Sequence, residues 1–182
     1  MEVVKMPFQI LHNDITNMET DAIVNAANSK LLEGGGVCGE IFSKAGRDEL
    51  QKECTLLAPC AVGHAVITKG YNLKSKYIIH AVGPIYKDGN SNEETYLKSA
   101  YENSLKLAKD YNLKSIAFTL ISAGVYGYPK KEALDIVIST IKEFLKDNEM
   151  DINLVVFDKK PLSLVKNYMI ISSIILMIFM KK

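Results

Sequence analysis

Short runs that are apolar at consecutive positions alternate along this chain with longer stretches that are apolar at every third or fourth residue. "FQIL" (8–11), "AIVN" (22–25), "AVITKG" (65–70), "YIIHAVG" (77–83), "SIAFTLIS" (115–122) and "INLVVF" (152–157) are of the first kind. Their length and β-branched content read as strands. Between them, 39–54, 93–111 and 130–147 suit amphipathic helices. Ile41, Phe42, Ala45 and Leu50 form one stripe, Leu97, Ala100, Tyr101, Ser104, Leu105 and Ala108 a second, and Leu134, Val137, Ile138, Ile141 and Leu145 a third. Strands that are apolar on both faces must be covered on both, and the intervening helices supply that cover. The expected fold is α/β, a three-layer α/β/α sandwich about a central mixed sheet. With 182 residues the chain supports one substantial core rather than two, and residues 1–160 are expected to form it.

Two of the strands lead directly into glycine-rich loops that open helices. The first is "NAANSKLLEGGGVCGE" (25–40) and the second "ISAGVYGYPKKEA" (121–133). Both belong at the carboxyl edge of the sheet, where ligands of open α/β sheets bind. Glycine amides at a helix N-terminus present free N–H groups and a positive dipole end to an anion, so two such loops at one edge point to a diphosphate. Neither loop has the G-x-x-x-x-G-K-[ST] or G-x-G-x-x-G spacing. Cys38, at the start of the expected first helix, has three readings: a nucleophile, a small apolar filler, or a bystander while backbone and bound phosphate position a water. A helix N-terminus lowers a thiol's pKa and favours a nucleophile, which also needs a base, and His12, His64 and His80 are the histidines available. Otherwise Cys38 is a small apolar filler beneath the loop. The turn-like "HNDITNMETD" (12–21) places Asp14 where an Asx turn or a helix cap would use it.

A net charge of +1 leaves no basic field for nucleic acid or an anionic membrane, so phosphate recognition has to be local. No basic and apolar leader opens the sequence, and the three cysteines are an odd number. Reduced thiols and a cytoplasmic location are expected. Cys54, Cys60 and His64 could be imagined around zinc, but their spacing matches no closed zinc site, and neither metal nor cofactor is expected. "KDGNSNEE" (87–94) reads as a solvated surface loop. The run "YMIISSIILMIFM" (168–180) is apolar on all sides. As a helix its 13 residues span about 20 Å against a hydrocarbon core of about 30 Å. A buried final helix is favoured over a membrane-associating tail, and 161–182 are set apart as that tail or helix.

"DAIVNAAN" with "GGGV", then "IIHAVGP", then "ISAGVYGYP" occur in an order that resembles the macrodomain family, in particular its bacterial O-acetyl-ADP-ribose deacetylase-like branch. The resemblance runs from about residue 8 to residue 158. It implies a mixed-sheet α/β/α sandwich that binds ADP-ribose. By position, Asp14 matches the aspartate that accepts from the adenine amino group, as an ionised carboxylate suits, and Ile15 lines that pocket. Asn28 matches the asparagine that reaches the distal ribose and is carried over as catalytic as well as binding, while Asn25 matches one supporting the loop. Gly34, Gly35, Gly36 and Val37 match the loop beside the distal ribose and phosphates. Ser122, Ala123, Gly124, Val125 and Tyr126 match the second phosphate loop. Phe157 would flank the adenine, its alternative being a core aromatic.

The match breaks where hydrolytic members carry an aspartate two residues after the last loop glycine, and often a histidine four residues later. Cys38 and Phe42 stand at those positions, and Glu33 takes one often held by glycine. A thiol with pKa about 8.5 is mostly protonated at neutral pH and replaces a water-activating carboxylate poorly. The resemblance therefore implies binding of ADP-ribose or an ADP-ribosylated protein, with hydrolysis of O-acetyl-ADP-ribose or ADP-ribosyl-protein linkages, or alternatively a non-catalytic reader. Single-stranded RNA binding, found in some members, is disfavoured by the near-neutral charge.

Overall fold

Residues 7–157 are described by the computed structural model; the segment 161–182 and its apolar run lie outside the described residues. Six strands build one sheet: β1 (Phe8–His12), β2 (Ala22–Ala27), β3 (Ala65–Lys69), β4 (Tyr77–Val82), β5 (Ser115–Phe118) and β6 (Asp151–Val156), in the order β1-β6-β5-β2-β4-β3. Every neighbouring pair is parallel except β3 with β4. That pair is joined by a tight turn instead of a helix, and antiparallel pairing is what a short connection permits. In the turn the Gly70 amide donates to the Lys76 carbonyl at 2.7 Å.

Helices α1 (Gly36–Ala45) and α2 (Arg47–Leu57) cover one face, and α3 (Glu93–Asp110) and α4 (Lys130–Phe144) the other. Ile41, Phe42, Leu50, Ile23, Ile78 and Val155 meet in the core under the first pair. Leu97, Tyr101, Leu134, Val137, Ile79 and Phe118 meet in the core under the second. Consecutive β4 residues, Ile78 and Ile79, thus bury against opposite layers, and the sheet is mixed and covered on both sides as expected. No helix among the described residues is long and apolar enough to cross a membrane.

Three local expectations change. The single helix over 39–54 is two helices, because Gly46 takes φ 106, a left-handed value that ends α1 and starts α2. The strand over 115–122 stops at Phe118, its last residue paired with β2 and β6. Beyond it, Thr119 Oγ1 donates to the Val24 carbonyl at 3.3 Å and the Ile121 amide donates to the Tyr101 hydroxyl at 2.9 Å. The chain is thereby drawn off the sheet. Finally, 87–94 is exposed along most of its length but is organised around a buried carboxylate. Glu93 accepts from the amides of Lys87, Asp88 and Gly89 at 3.1–3.3 Å and of Ser91 at 2.6 Å. Burial opposes its ionisation, but these donors outweigh burial and hold the carboxyl down at about 2.

Candidate functional site

Strands β2 and β5 are neighbours, yet the chain leaving β2 enters α1 on one face while the chain leaving β5 enters α4 on the other. A crevice must open between loops that diverge in this way. It holds an inner cavity of ≈ 270 Å³ lined by Ala26, Ala27, Asn28, Gly34 to Cys38, Gly83, Leu120 to Ser122 and Gly124 to Tyr126. An outer cavity of ≈ 540 Å³ shares Gly36 and Val37 with it and continues to Asp14, Ile15, Glu40, Thr119, Val155 and Phe157. The structure therefore gathers the two glycine loops into one wall-to-wall cleft, with Asp14, Ile15 and Phe157 at its other end. Asn25 and Ala123 line neither cavity. Asn25 is buried behind Cys38, and Ala123 packs on the α3–α4 core.

Both loops offer backbone donors. α1 begins at Gly35 with no side-chain cap, leaving its first amides to the cleft. In the second loop, Gly127 N–H donates to the Gly124 carbonyl and Tyr128 N–H to the Ser122 carbonyl, each at 3.0 Å. The amides of residues 123–126 donate to no group among the described residues. Such a turn makes an anion-binding concavity. No carboxylate lines the inner cavity, so nothing there repels a diphosphate.

The glycines divide by what a side chain would meet. At Gly39 a Cβ would lie 2.6 Å from the Gly34 carbonyl oxygen, and at Gly83 2.2 Å from Ser122 Oγ. Those two glycines are required by packing: one seats the first loop on α1, the other seats the second loop on the end of β4. Gly35 and Gly124 differ. Neither has a positive φ, and apart from its two chain neighbours no described residue has an atom within 4 Å of a Cβ built there. The protein's own packing does not call for glycine at either position; the vacant space belongs to the cleft. Gly83 and Gly39 were not among the residues expected at the site, although "IIHAVGP" carried the signal for the first.

Asn28 spends its amide on the loop. Its Nδ2 donates to the Leu32 carbonyl at 2.7 Å, and its Oδ1 accepts from the amides of Lys30 and Leu32 at 3.1 and 3.2 Å. Asp14 Oδ1 accepts from Thr16 N at 2.9 Å and Thr16 Oγ1 at 2.8 Å, capping a short 3-10 turn over Ile15–Asn17. The Asx-cap reading is thus realised at a residue that also lines the outer cavity. Phe157 is 77% exposed, an aromatic at the mouth and not in the core. His12 Nε2 bonds its carbonyl at 2.9 Å.

Cys38 sits on the cleft floor, buried, with Asn25 Nδ2 donating to its Sγ at 3.6 Å. Burial pushes the thiol's pKa up; bonds from Asn25 and the Gly34 backbone pull the other way, and the Glu33 charge adds to the rise. The same Asn25 Nδ2 lies 3.1 Å from His80 Nδ1, and His80 Nε2 lies 2.9 Å from Thr68 Oγ1. His80 is wholly buried against the edge of Phe42, and burial lowers its pKa to about 3. It stands one side chain away from the thiol, neutral, with Asn25 between.

A family model described as Macro domain matches residues 24–137. A macro domain-containing protein of Methanosarcina mazei is 51% identical over 142 residues, covering 78% of this chain and 75% of that one. The mouse protein ADP-ribose glycohydrolase MACROD2 is 48% identical over 149 residues, 81% of this chain and 31% of its own length. Among solved structures, a mutant Oceanobacillus iheyensis macrodomain with ADPR superposes with a TM-score of 0.84 at 40% identity, covering 90% of this chain and 93% of that one.

Proposed function

Since this chain belongs to the macro domain family, we propose that it binds ADP-ribose, free or attached to another molecule. The adenine lies in the outer cavity beside Asp14, Ile15 and Phe157. The diphosphate lies between Gly34–Val37 and Ser122–Tyr126, and the distal ribose near Asn28 and Tyr126. The observation that carries this reading is the pair Gly35 and Gly124: two glycines on opposing loops, neither with a positive φ, whose missing side chains leave open space in the cleft for a ligand. The ADPR-bound neighbour and the mouse glycohydrolase support the same ligand.

We further propose hydrolysis of ADP-ribosyl or O-acetyl bonds at the distal ribose, by water held on loop amides and the substrate's own phosphate. A buried, protonated Cys38 whose side-chain neighbour is an amide supports a spacer under the loop in preference to a nucleophile. A cytoplasmic setting accords with three free thiols, and residues 1–160 constitute the domain with 161–182 appended. One observation favours the non-catalytic reader instead: neither carboxylate nor imidazole lines the inner cavity. Calorimetry with ADP-ribose tests the binding, which is refuted if millimolar ligand gives no heat. Turnover of O-acetyl-ADP-ribose by wild type and Cys38→Ala decides the rest. Equal turnover establishes the spacer, loss of turnover in the variant restores the nucleophile, and binding without wild-type turnover identifies a reader.

A further inference from the structure

The first glycine loop is gripped from two sides immediately before its glycines. On the inner side Asn28 closes on Leu32, its Oδ1 accepting from the Leu32 N–H and its Nδ2 donating to the Leu32 carbonyl. On the outer side Gln51 of α2 does the same across the flanking residues. Its Oε1 accepts from the Glu33 amide at 2.9 Å and its Nε2 donates to the Leu31 carbonyl at 3.1 Å. One helical turn earlier, Arg47 Nε donates to Glu33 Oε1 at 2.8 Å. Gln51, Glu33 and Arg47 line neither cavity.

The chemistry at each position is specific. A glutamine amide offers a donor and an acceptor on separate atoms at the tip of a long side chain; a glutamate would lose the bond to Leu31, and an aliphatic residue both bonds. Glu33 would otherwise set a bare negative charge next to a loop built for phosphate, and Arg47 neutralises it. We propose that Gln51 and the Glu33–Arg47 pair are positioning residues for the phosphate-binding loop. They act through the backbone of residues 31–36 to set the distance across the inner cleft, and so the affinity for the diphosphate. The inference rests on the ADP-ribose reading for its ligand, but the clamp itself can be read without ligand.

The test compares wild type with Gln51→Met, which keeps length and helix propensity while removing both bonds, and with Glu33→Arg, Arg47→Glu and the double reversal. Amide exchange over 31–36 in free Gln51→Met should quicken while the rest of the sheet is unchanged, and its ADP-ribose Kd should rise about tenfold for two lost bonds. Glu33→Arg adds positive charge beside the loop, so charge alone would tighten binding; a clamp predicts weaker binding in both single reversals and recovery in the double. Wild-type exchange and wild-type Kd in Gln51→Met would overturn the proposal. If wild type itself bound no ADP-ribose, the functional reading would fall, and exchange over 31–36 would still decide the clamp.

Discussion

At Gly124 a built Cβ meets no atom of a described residue within 4 Å beyond its chain neighbours and needs no left-handed backbone, while at Gly83 it would strike Ser122 Oγ at 2.2 Å. Two glycines on the same cleft are therefore kept small for different reasons, one for a ligand and one for a neighbour. Gly124→Glu should fold with a melting temperature close to wild type, since it occupies open space. It should nevertheless lose ADP-ribose binding by at least about a hundredfold, as a carboxylate fills the phosphate cradle and repels the diphosphate. Calorimetry alongside thermal melting checks both halves; retained binding would remove the second loop from the site. Cys38 shows the limit of judging a residue by its type. Its place at the start of α1 favours thiolate, yet burial raises its pKa. Desolvation outweighs the bonds from Asn25 and the Gly34 backbone, which act to lower it.

On the scale of elements, the site is held by side chains whose own helices lie outside it. Tyr101 was legible in the sequence as one apolar position of the 93–111 stripe, and it is buried as that pattern requires. What the pattern could not reveal is that its hydroxyl accepts the Ile121 N–H at 2.9 Å and so anchors the root of the second loop. Tyr101→Phe leaves a buried amide unpaired and should cost about 1–3 kcal/mol of stability. Denaturant unfolding would measure that loss, and ADP-ribose affinity should fall severalfold with it; unchanged stability would show that the amide finds another partner. Periodicity likewise placed an apolar stripe across 39–54 but ran through Gly46. Periodicity records which face is buried, not where a positive φ turns the axis. The loop over 87–94 departs from a simple solvated loop for a related reason. Its polar residues are exposed as expected, but Glu93 folds back on four amides of its own segment, a convergence invisible to composition.

Across the whole molecule, two buried ionisable groups tie stability to pH in the same direction. His80 falls from an ordinary value of 6.5 to about 3 because burial disfavours its charged form. The unfolded chain therefore binds a proton that the folded one refuses, and stability declines as pH drops from 6.5 towards 3. Glu93, down from 4.5 to about 2 against the opposing pull of burial, contributes stability above 4.5 that fades as pH falls towards 2. Denaturation midpoints measured from pH 7.5 to 3 should fall from about pH 6.5 and more steeply below 4.5, with Glu93→Gln removing the added steepness. A midpoint that stays level between pH 6.5 and 5 would show that His80 is not held neutral. By itself the sequence determined the layered α/β class, the order of most elements, and the two glycine loops; Asp14 and Phe157 joined them only through the family resemblance. Strand runs, helical stripes and glycine clusters are local signals, and hydrophobic burial reads them directly. Only the tertiary structure decided that β2 and β5 lie side by side, that Gly83 and Tyr101 seat one loop and Gln51 the other, and that Cys38 is enclosed with Asn25 between it and His80. Each of those is a contact between residues distant in the chain, set by sheet order and packing, and no window along the sequence contains both partners.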